Sequence, residues 1–532
     1  MLLHADAIPH GETLKADVCV VGAGAAGISL VMGLLNQGTT VVILESGGRE
    51  PDEATQGLYQ GTTTGRPYYE LDACRLRYLG GSTNVWGGWC RPLDAVDFDD
   101  RSSLPASGWP FERRLLDPYY ERAHALCGLG PYTYDPERWQ RPGDRSVVAP
   151  GADRFADMTF QVSPLRFGRE YRTAIARSPH ATLVLHANAA GIEMDASQQT
   201  ATRVRVVTLG GNRFMVAAKL FVLAGGGIEN PRLLLASRDG RACGVGNEHD
   251  LVGRYFTEHL HVPVGLLRCR QAGMAFYGAR RSGGIHIRGG VALSECARRS
   301  EGLNGFALTF HNTEDPHDVL RPTAQPASYV SMRLLMTSVS RGEMPDRVWR
   351  HLANVASDLP SAAVLSYRKM VKPSPRILMV GCRAEQAPNR DNRVTLDDRD
   401  DAIGLPRARV HWQIGTEDVD NIRRATRLWI DAYDRRLADV DSFVTSDDRW
   451  IEALAGGAHH MGTTRMHRDP HRGVVDEHCR VHTTSNVYVA GSSVFPTGGW
   501  APPTLTIIAL ALKLADHANA RLARGDLHER PC

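Results

Sequence analysis

Two adjacent histidines near the carboxyl end of the chain are the residues best suited to moving a proton. His459 and His460 stand three and two residues before Gly462. A neutral imidazole is a natural proton acceptor near pH 7, because its unperturbed pKa of about 6.5 lies close to that pH. The alternative is a structural pair in which one imidazole bonds to the backbone. Because neighbouring side chains point in different directions, we expect only one of the two to be the base.

A second group of residues, at the amino end, could bind phosphates. Gly22, Gly24 and Gly27 follow the apolar run Val18–Val21 and precede an apolar helical pattern. In such an arrangement the first glycine permits a tight turn, the second lets a pyrophosphate approach the backbone, and the third lets the helix lie close to the strand. The start of the helix then directs unpaired N–H groups at the phosphates.

An acid completes this pattern. Glu45 follows a second predicted strand, Thr40–Leu44, and its carboxylate can accept hydrogen bonds from ribose hydroxyls. The order of strand, glycines, helix, strand and acid predicts a Rossmann-like dinucleotide site rather than an unoccupied βαβ unit. The acid disfavours a 2′-phosphate and therefore NADP. These residues alone do not separate FAD from NAD, so an NAD-dependent dehydrogenase stays an alternative.

A glycine-rich loop with basic and aromatic residues follows at Arg75–Gly88. It offers N–H donors, close backbone approach and a flat apolar surface, which together suit an isoalloxazine ring. A surface turn rich in glycine and serine is the alternative.

Four segments resemble the signatures of the glucose–methanol–choline (GMC) oxidoreductases. They occur in the order of that family, span nearly the whole chain, and comprise Leu79–Gly88 (LGGSTNVWGG), Phe221–Leu234, His459–Met466, and Val487–Ser493 with Phe495–Thr497 and Thr504–Thr506. The resemblance implies bound FAD and oxidation of an alcohol. Asn84 stands near the place where some members carry the histidine that binds FAD covalently, which implies non-covalent FAD here.

The resemblance also implies which residues hold the cofactor. Thr504 and Leu505, at the start of the last helix, should direct N–H groups at the pyrimidine edge of the flavin, where negative charge grows on reduction. The full set of expected cofactor-binding residues is Gly22, Gly24, Ala25, Gly27, Glu45, Gly80, Gly81, Asn84, Gly88, Ala189, Gly491, Ser492, Thr504 and Leu505.

By the same resemblance His459 is the catalytic base, and His460 is a second candidate for contact with the substrate. Pro502 stands where the family carries a second polar residue, histidine or asparagine, and proline has neither a polar side chain nor an N–H. The second polar group that contacts the substrate hydroxyl must then be His460 or a residue of the other domain, which binds the substrate. A non-oxidising flavoprotein, of lyase type or with structural FAD, is the alternative that this departure favours.

Three further aromatic or histidine positions are weaker candidates. Trp500 is predicted to bind substrate, because an aromatic face suits a sugar ring, and packing is its alternative role. His259 and His261 alternate as on a strand, so structural roles are expected for them.

The elements that must position these residues predict an α/β fold, α+β overall. A Rossmann-like FAD-binding domain is expected over 14–262, with inserted loop or lid segments near 50–165, and again over 446–525. Between these two parts, 263–445 should form a substrate-binding domain, an antiparallel sheet backed by helices. Its predicted strands include Val262–Leu267 and Arg376–Val380, and its predicted helices are Pro345–Ser357 and Thr416–Leu437.

Composition narrows the function classes. The 532 residues, 42% hydrophobic and 23% charged, are typical of a soluble globular protein. The formal charge of +3 and the lack of long runs of one sign give no reason to expect nucleic acid or an anionic membrane as partner. The ten cysteines are scattered without a CxxC pair, so neither a metal site nor a disulfide framework is predicted, and a cytoplasmic location is expected.

The start of the chain has no pattern of a signal peptide, and no apolar stretch of about 18 residues predicts a membrane span. The expected partner is a small-molecule alcohol, and the hydroxyl that is oxidised is expected to belong to a sugar, a cyclitol or another polyhydroxylated metabolite. The sequence leaves open whether oxygen, a quinone or another carrier accepts the electrons.

Overall fold

The computed structural model describes residues 1–35, 38–270, 273–312, 331–332, 335, 348–357, 377–446 and 448–525. The strands in these ranges are β1 (Leu2–His4), β2 (Thr13–Val21), β3 (Val41–Glu45), β4 (Thr62–Gly65), β5 (Trp89–Cys90), β6 (Phe155–Val162), β7 (Ala181–Leu185), β8 (Asn188–Met194), β9 (Ala201–Val207), β10 (Arg213–Leu223), β11 (His259–Cys269), β12 (Ala279–Ser282), β13 (Ile285–Leu293), β14 (Phe306–Asn312), β15 (Ile377–Glu385), β16 (Arg393–Asp400), β17 (Pro406–Trp412), β18 (Ala438–Ser442), β19 (Ala455–Gly456) and β20 (Val487–Val489).

The helices are α1 (Ala25–Leu34), α2 (Glu53–Gly57), α3 (Asp117–Leu126), α4 (Pro136–Trp139), α5 (Phe167–Glu170), α6 (Arg172–Arg177), α7 (Gly226–Ala236), α8 (Glu295–Glu301), α9 (Val348–Ser357), α10 (Thr416–Ala432), α11 (Arg449–Glu452) and α12 (Thr504–Arg524). Short 3₁₀ turns lie at Ala5–Ala7, Gly81–Asn84, Ala95–Phe98, Arg113–Leu116, Met274–Tyr277 and Ser492–Val494. None of the described helices is both long enough and apolar enough to cross a membrane.

The first sheet runs in the order β1-β7-β3-β2-β10-β9-β8, with β20 also paired to β10. The strands from β1 to β10 in this order, and β20, pair in parallel, whereas β9 and β8 continue antiparallel. The centre of the sheet is apolar on both faces, as parallel strands covered by helices require. On one face α1 packs against α12, and the missing side chain of Gly33 lets Ala515 approach closely.

The second sheet is antiparallel and runs in the order β18-β11-β15-β14-β13-β6-β5. Helix α10 packs against it through Trp429, whose ring contacts those of Phe155 and Phe310. A smaller sheet runs in the order β16-β17-β4, and its buried residues share a hydrophobic core with the second sheet. These sheets and helices form an α/β architecture with a Rossmann-like part and a sheet-plus-helix part, which confirms the predicted fold class.

The predicted elements agree closely with the observed ones in the described ranges. The strand Val262–Leu267 lies within β11, and the helix Thr416–Leu437 is shorter than predicted because Tyr433 takes an extended conformation. Arg376, the first three residues of the predicted helix Pro345–Ser357, and residues 526–532 of the charged carboxyl end lie outside the described residues.

The predicted domain boundaries can be set beside the sheet topology. Strands β5 and β6 lie in the inserted segment near 50–165 but pair within the second sheet, and β1 precedes residue 14 yet belongs to the first sheet. Beyond these strands, the division at 262 and 446 stays a prediction.

Candidate active site

A cavity of about 510 Å³ opens at the carboxyl ends of the central parallel strands. This is where open α/β sheets bind ligands. The first turns of three helices border it: Ala25 and Ala26 of α1, Gly226–Glu229 of α7, and Thr504 of α12. Unpaired N–H groups and the partial positive charge of three helix starts therefore face one space, which suits an anionic cofactor.

The glycine turn between β2 and α1 has the geometry that a dinucleotide requires. Gly22 has φ of +104°, a conformation open to glycine, and a Cβ on Gly27 would overlap the carbonyl oxygen of Gly22. A Cβ on Gly24, by contrast, would meet no atom within 4 Å, and Gly24 lines the cavity. Gly27 thus sets the helix against the strand, and Gly24 leaves backbone exposed to a phosphate, as the sequence predicts.

Glu45 lies at the rim of the same cavity, at the end of β3. Its carboxylate accepts hydrogen bonds from the N–H groups of Ala23 (3.0 Å) and Gly47 (2.9 Å). These bonds fix the side chain beside the glycine turn, although burial raises its pKa. The carboxylate keeps free lone pairs that a ribose hydroxyl can use.

Some residues of the loop Arg75–Gly88 line the cavity, and others hold the loop in its conformation. Gly81 lines the cavity, whereas Gly80, Asn84 and Gly88 do not. The Asn84 amide donates to the carbonyl oxygens of Leu79 (2.9 Å) and Gly81 (3.0 Å) and so holds the loop in shape. Gly80 and Gly88 have positive φ, and a Cβ on Gly88 would overlap the Ser163 carbonyl.

Two basic side chains of this loop also border the cavity. Arg75 and Arg77 both pair with Glu229 of α7, at 2.7 and 3.2 Å, and both guanidinium groups lie over the Tyr59 ring. The three arginines Arg75, Arg77 and Arg232 lower the pKa of Glu229 despite its burial. The loop is thereby tied to the start of α7.

The remaining predicted cofactor residues divide into two groups. Ala25, Ala189, Gly491, Ser492 and Thr504 line the cavity. Leu505, in the first turn of α12, has a fully buried side chain and does not line the cavity.

Trp500 does not line the cavity. Its side chain is buried, its indole N–H donates to Asp94 at 2.8 Å, and its ring contacts Phe160. This position fits packing, the alternative role, better than the substrate platform that the sequence suggested, because the ring is buried against Phe160 and does not border the cavity.

His459 borders the cavity and is held by a second histidine. Nε2 of His259 lies 3.3 Å from the Gly498 carbonyl oxygen, and Nδ1 of His259 lies 2.8 Å from Nδ1 of His459. A carbonyl oxygen only accepts, so neutral His259 carries its proton on Nε2 and accepts at Nδ1. Nδ1 of His459 therefore donates, and Nε2 of His459 is left as an unprotonated base.

The electrostatic environment keeps these imidazoles neutral. Burial, His259 and Arg383 lower the pKa of His459 well below 6.5, and burial and Arg383 lower that of His259 to about 4. Both rings are therefore proton acceptors at neutral pH. In the described part of the chain, no group of three or more side chains is arranged to hold a metal ion.

His460 faces a different set of partners. Its Nε2 lies 3.7 Å from Glu258 and 3.7 Å from the Cys74 sulfur, and its ring stacks on Phe256. Burial and Arg75 lower its pKa to about 3. His460 lines the cavity wall, but its ring nitrogen is directed at these partners, in keeping with the expectation that the two histidines differ in role.

Glu258 contacts both His459 and His460. One carboxylate oxygen accepts the backbone N–H groups of Gly457 (3.1 Å) and His459 (2.8 Å), and the other accepts the Tyr68 hydroxyl. Burial raises the pKa of Glu258 to about 7. This carboxylate therefore fixes the backbone that carries His459.

Sequence reasoning assigned His259 and His261 to structural roles and did not identify Glu258. Alternation along one strand was the available signal, and it shows only that two side chains share a face. The pairing of β11 with the segment before His459 brings these residues to the base, and that pairing is tertiary.

Comparison with known proteins places the chain in a family. Residues 17–332 match the model described as FAD dependent oxidoreductase, and residues 388–511 match the model of GMC oxidoreductases. The chain is 27% identical to the 2-methyl-1,2-propanediol dehydrogenase of Mycolicibacterium austroafricanum, over 96% of each chain. It is 26% identical to the paromamine 6′-oxidase of Streptomyces fradiae, over 97% of this chain and 92% of that one.

A solved structure shares the fold. The formate oxidase of Aspergillus oryzae superposes with a TM-score of 0.56 at 18% identity, over 98% of this chain and 100% of that one. The match of residues 17–332 to FAD dependent oxidoreductases shows that the cofactor is FAD, so the alternative of an NAD-dependent dehydrogenase has no support. The glycine turn, Glu45, the three helix starts and His459 at the cavity are consistent with this assignment, and the chain belongs to the GMC family of FAD-dependent oxidoreductases.

Proposed function

We propose that this oxidoreductase oxidises a CH–OH group of a polyhydroxylated metabolite, such as a sugar or cyclitol, and that His459 is the base. The carrying observation is the hydrogen bond from His459 to His259, which leaves Nε2 of His459 unprotonated at the cavity. A positioned base of this kind contributes roughly 10²- to 10⁴-fold to a rate.

Residues lining the cavity would hold FAD without a covalent bond. The turn at Gly22 and Gly24 and the start of α1 would receive the phosphates, Glu45 a ribose, and the start of α12 the flavin edge. When bound, FAD supplies the acceptor for the hydride, so the alcohol leaves as a carbonyl compound. His459 accepts the hydroxyl proton at Nε2 as the C–H bond breaks.

His261 is our candidate for the second polar group that Pro502 cannot provide. Its ring centroid lies 6.1 Å from that of His459, and its Nε2 is buried without a hydrogen-bond partner among the described residues. A buried polar atom without a partner is costly, and a substrate hydroxyl would satisfy it. The second hydrogen bond to the substrate hydroxyl would thus come from a residue of the antiparallel sheet rather than from the segment before α12.

The substrate class is supported by the relatives. Those named above are two oxidases and a dehydrogenase, one of them named for a diol and one for paromamine, which gives no support to the non-oxidising alternative. Oxygen, a quinone or another carrier would return the flavin to its oxidised state. The described cysteines are free, several of them buried, in keeping with a reducing cytoplasmic location.

The test is anaerobic bleaching of the flavin. The yellow holoenzyme is mixed with a panel of diols, sugars, cyclitols and simple primary alcohols, and the loss of flavin absorbance is followed. Bleaching by at least one polyol, slowed roughly 10²- to 10⁴-fold in His459→Ala with FAD still bound, is the expected result. Equal rates in the wild type and the variant would rule out His459 as the base.

A further inference from the structure

The face of the second sheet that meets His459 carries two arginines. His261 of β11 pairs directly with Arg383 of β15, and Arg383 pairs with Ala307 of β14. Ala307 in turn pairs with Ala292 of β13, four residues after Arg288. Since cross-strand partners and residues two apart share a face, His261, Arg383 and Arg288 all lie on one side of the sheet.

Ring contacts confirm this arrangement independently. The Arg383 and Arg288 guanidinium carbons lie 5.2 and 4.9 Å from the Trp89 ring centroid, and Trp89 stacks on His311. Both arginines also lower the pKa of His311, after burial, to about 4. The two cations are therefore close neighbours inside the protein.

In the part of the chain that the structure describes, no carboxylate pairs with Arg383. Its Nη1 is buried without a hydrogen-bond partner, and none of the ion pairs of the described residues includes it. Burial and the neighbouring Arg288 lower its pKa to about 10. Arg288 is only partly satisfied, by the Phe310 carbonyl (2.5 Å) and Nδ1 of His311 (3.1 Å), while its Nε has no partner.

Two of the other buried arginines have the carboxylate partner that Arg383 lacks in the described part of the chain. Arg298 pairs with Asp97 at 2.5 Å, and Arg232 pairs with Asp401 at 2.6 Å. Buried charges are normally paired, because an isolated buried ion is costly. Two neighbouring guanidinium groups that share a sheet face with His261 and have no carboxylate partner in the described part of the chain are therefore expected to receive their anion from a ligand.

We infer that the substrate is an alcohol that also bears an anionic group, a polyhydroxylated carboxylate of the sugar-acid type, bound by Arg383 with support from Arg288. This inference rests on the proposed function. A guanidinium matches a carboxylate with two parallel N–H···O bonds. Arg383 is the cross-strand partner of His261, whose ring centroid lies 6.1 Å from that of His459, so one small ligand could carry both the anion and the reacting hydroxyl.

The experiment compares matched neutral and acidic substrates on the holoenzyme. Anaerobic flavin reduction is measured with glucose and gluconate, with galactose and galacturonate, and with glucose 6-phosphate. We expect each acid to exceed its neutral partner at least 10-fold in reduction rate divided by dissociation constant. Higher efficiency with the sugar phosphate than with the carboxylates would identify phosphate as the anion. Equal or better reduction by the neutral sugars would overturn the inference while leaving alcohol oxidation intact.

Variants locate the anion site. Arg383→Met should lower the efficiency with the acids roughly 10- to 100-fold, the loss expected for one charged hydrogen-bonding partner. It should lower the efficiency with neutral polyols by much less, so that the preference for acids disappears. Arg383→Lys should restore part of the preference. Arg268→Met is the control, because Arg268 lies on the same sheet but is exposed and paired with Asp441 at 2.8 Å. A preference for acids that survives in Arg383→Met would contradict the assignment.

A binding measurement separates the two proposals. If no compound bleaches the flavin, the proposed oxidation fails, and calorimetric titration of holoenzyme with gluconate still tests the anion site. Binding to the wild type that is lost in Arg383→Met supports the site. Absence of binding to the wild type overturns it.

Discussion

Nδ1 of His259 lies 2.8 Å from Nδ1 of His459. His259 belongs to the antiparallel sheet, whereas His459 belongs to the segment that borders the cavity. The two residues are 200 positions apart in sequence. Because the Gly498 carbonyl fixes the proton of His259 on Nε2, this bond decides which nitrogen of His459 is basic. It also leaves an acceptor beside His459 when that ring takes up a second proton.

Replacement of His259 should therefore impair the base without removing the cofactor. In His259→Ala we expect FAD to stay bound and flavin reduction to slow by roughly 10- to 100-fold, since His459 loses its fixed orientation and tautomer. Stopped-flow reduction by a saturating polyol measures this. His259→Asn, whose amide oxygen can accept from Nδ1 of His459, should recover part of the rate. Wild-type reduction in both variants would show that the bond is only structural.

The pH dependence of reduction follows from the lowered pKa of His459. A base acts only when deprotonated, and burial, His259 and Arg383 hold this pKa well below 6.5. Activity should therefore be flat above about pH 6.5 and fall only at more acid pH. Reduction rates from pH 5 to 9 provide the measurement. A half-maximal rate at or above pH 6.5 would contradict the neutral, desolvated imidazole.

Glu258 should make stability depend on pH. Its folded pKa of about 7 lies above the ordinary value of 4.5, so the folded state holds the proton more tightly. The resulting stabilisation is fully present below pH 4.5 and is lost as pH rises through about 7, in total about 3 kcal/mol. In Glu258→Gln, which keeps an acceptor for the two backbone N–H groups, this contribution should vanish.

The measurement for Glu258 is the difference in unfolding free energy between wild type and Glu258→Gln at pH 5 and at pH 8. Taking the difference removes the contributions of groups that both proteins share. The wild type should gain relative to the variant at pH 5. An unchanged difference would mean that Glu258 is ionised across the whole range.

Two glycines of the nucleotide turn should respond differently to alanine. Gly24→Ala should fold, because its Cβ would meet no protein atom within 4 Å, but should bind FAD at least 10-fold more weakly, since the methyl group enters the cavity. Gly27→Ala should lower the stability of the apoprotein, because its Cβ would overlap the backbone of Gly22. Fluorescence titration with FAD and the Tm of each apoprotein test both.

Gly57→Ala is the control for the two glycine variants, since its Cβ also meets open space and it lies in α2, away from the cavity lining. It should leave both the affinity for FAD and the Tm close to wild type. Equal FAD affinity of Gly24→Ala and Gly57→Ala would show that the cofactor does not approach this turn.

A buried ion network joins the inserted segment, the antiparallel sheet and the chain before α12. Arg298 pairs with Asp97, and Glu385 pairs with Arg101 at 2.7 Å and accepts from the N–H of Gly499. Arg298→Met should destabilise the protein by about 3 to 5 kcal/mol, because it leaves a carboxylate buried and unpaired. Arg299→Met, at an exposed pair with Asp99, should cost at most about 1 kcal/mol. Chemical unfolding of both variants checks this contrast.

Local sequence was sufficient for much of the fold and of the cofactor site. The glycines at 22, 24 and 27, the acid at 45 and the strand and helix patterns around them act within one βαβ unit, so their spacing predicts the turn that the structure contains. His459 was predicted as the base from the segment that carries the family resemblance, and the structure places it at the cavity. The cavity gathers Ala189, Gly491 and Thr504 at the places that this resemblance implied.

The tertiary structure alone decided what surrounds the base. His259, His261, Glu258 and Arg383 are distant from His459 in sequence and share no local pattern with it. Strand pairing brings Arg383 opposite His261 and places His261 beside the segment that leads to His459. The tertiary structure also buries Trp500, which the sequence had suggested for substrate contact. The spacing of residues in the sequence predicts which side chains share a face of one strand. Which charged groups pair, and which nitrogen of His459 holds the proton, depends instead on which strands lie next to each other. That arrangement is fixed only when the whole chain folds.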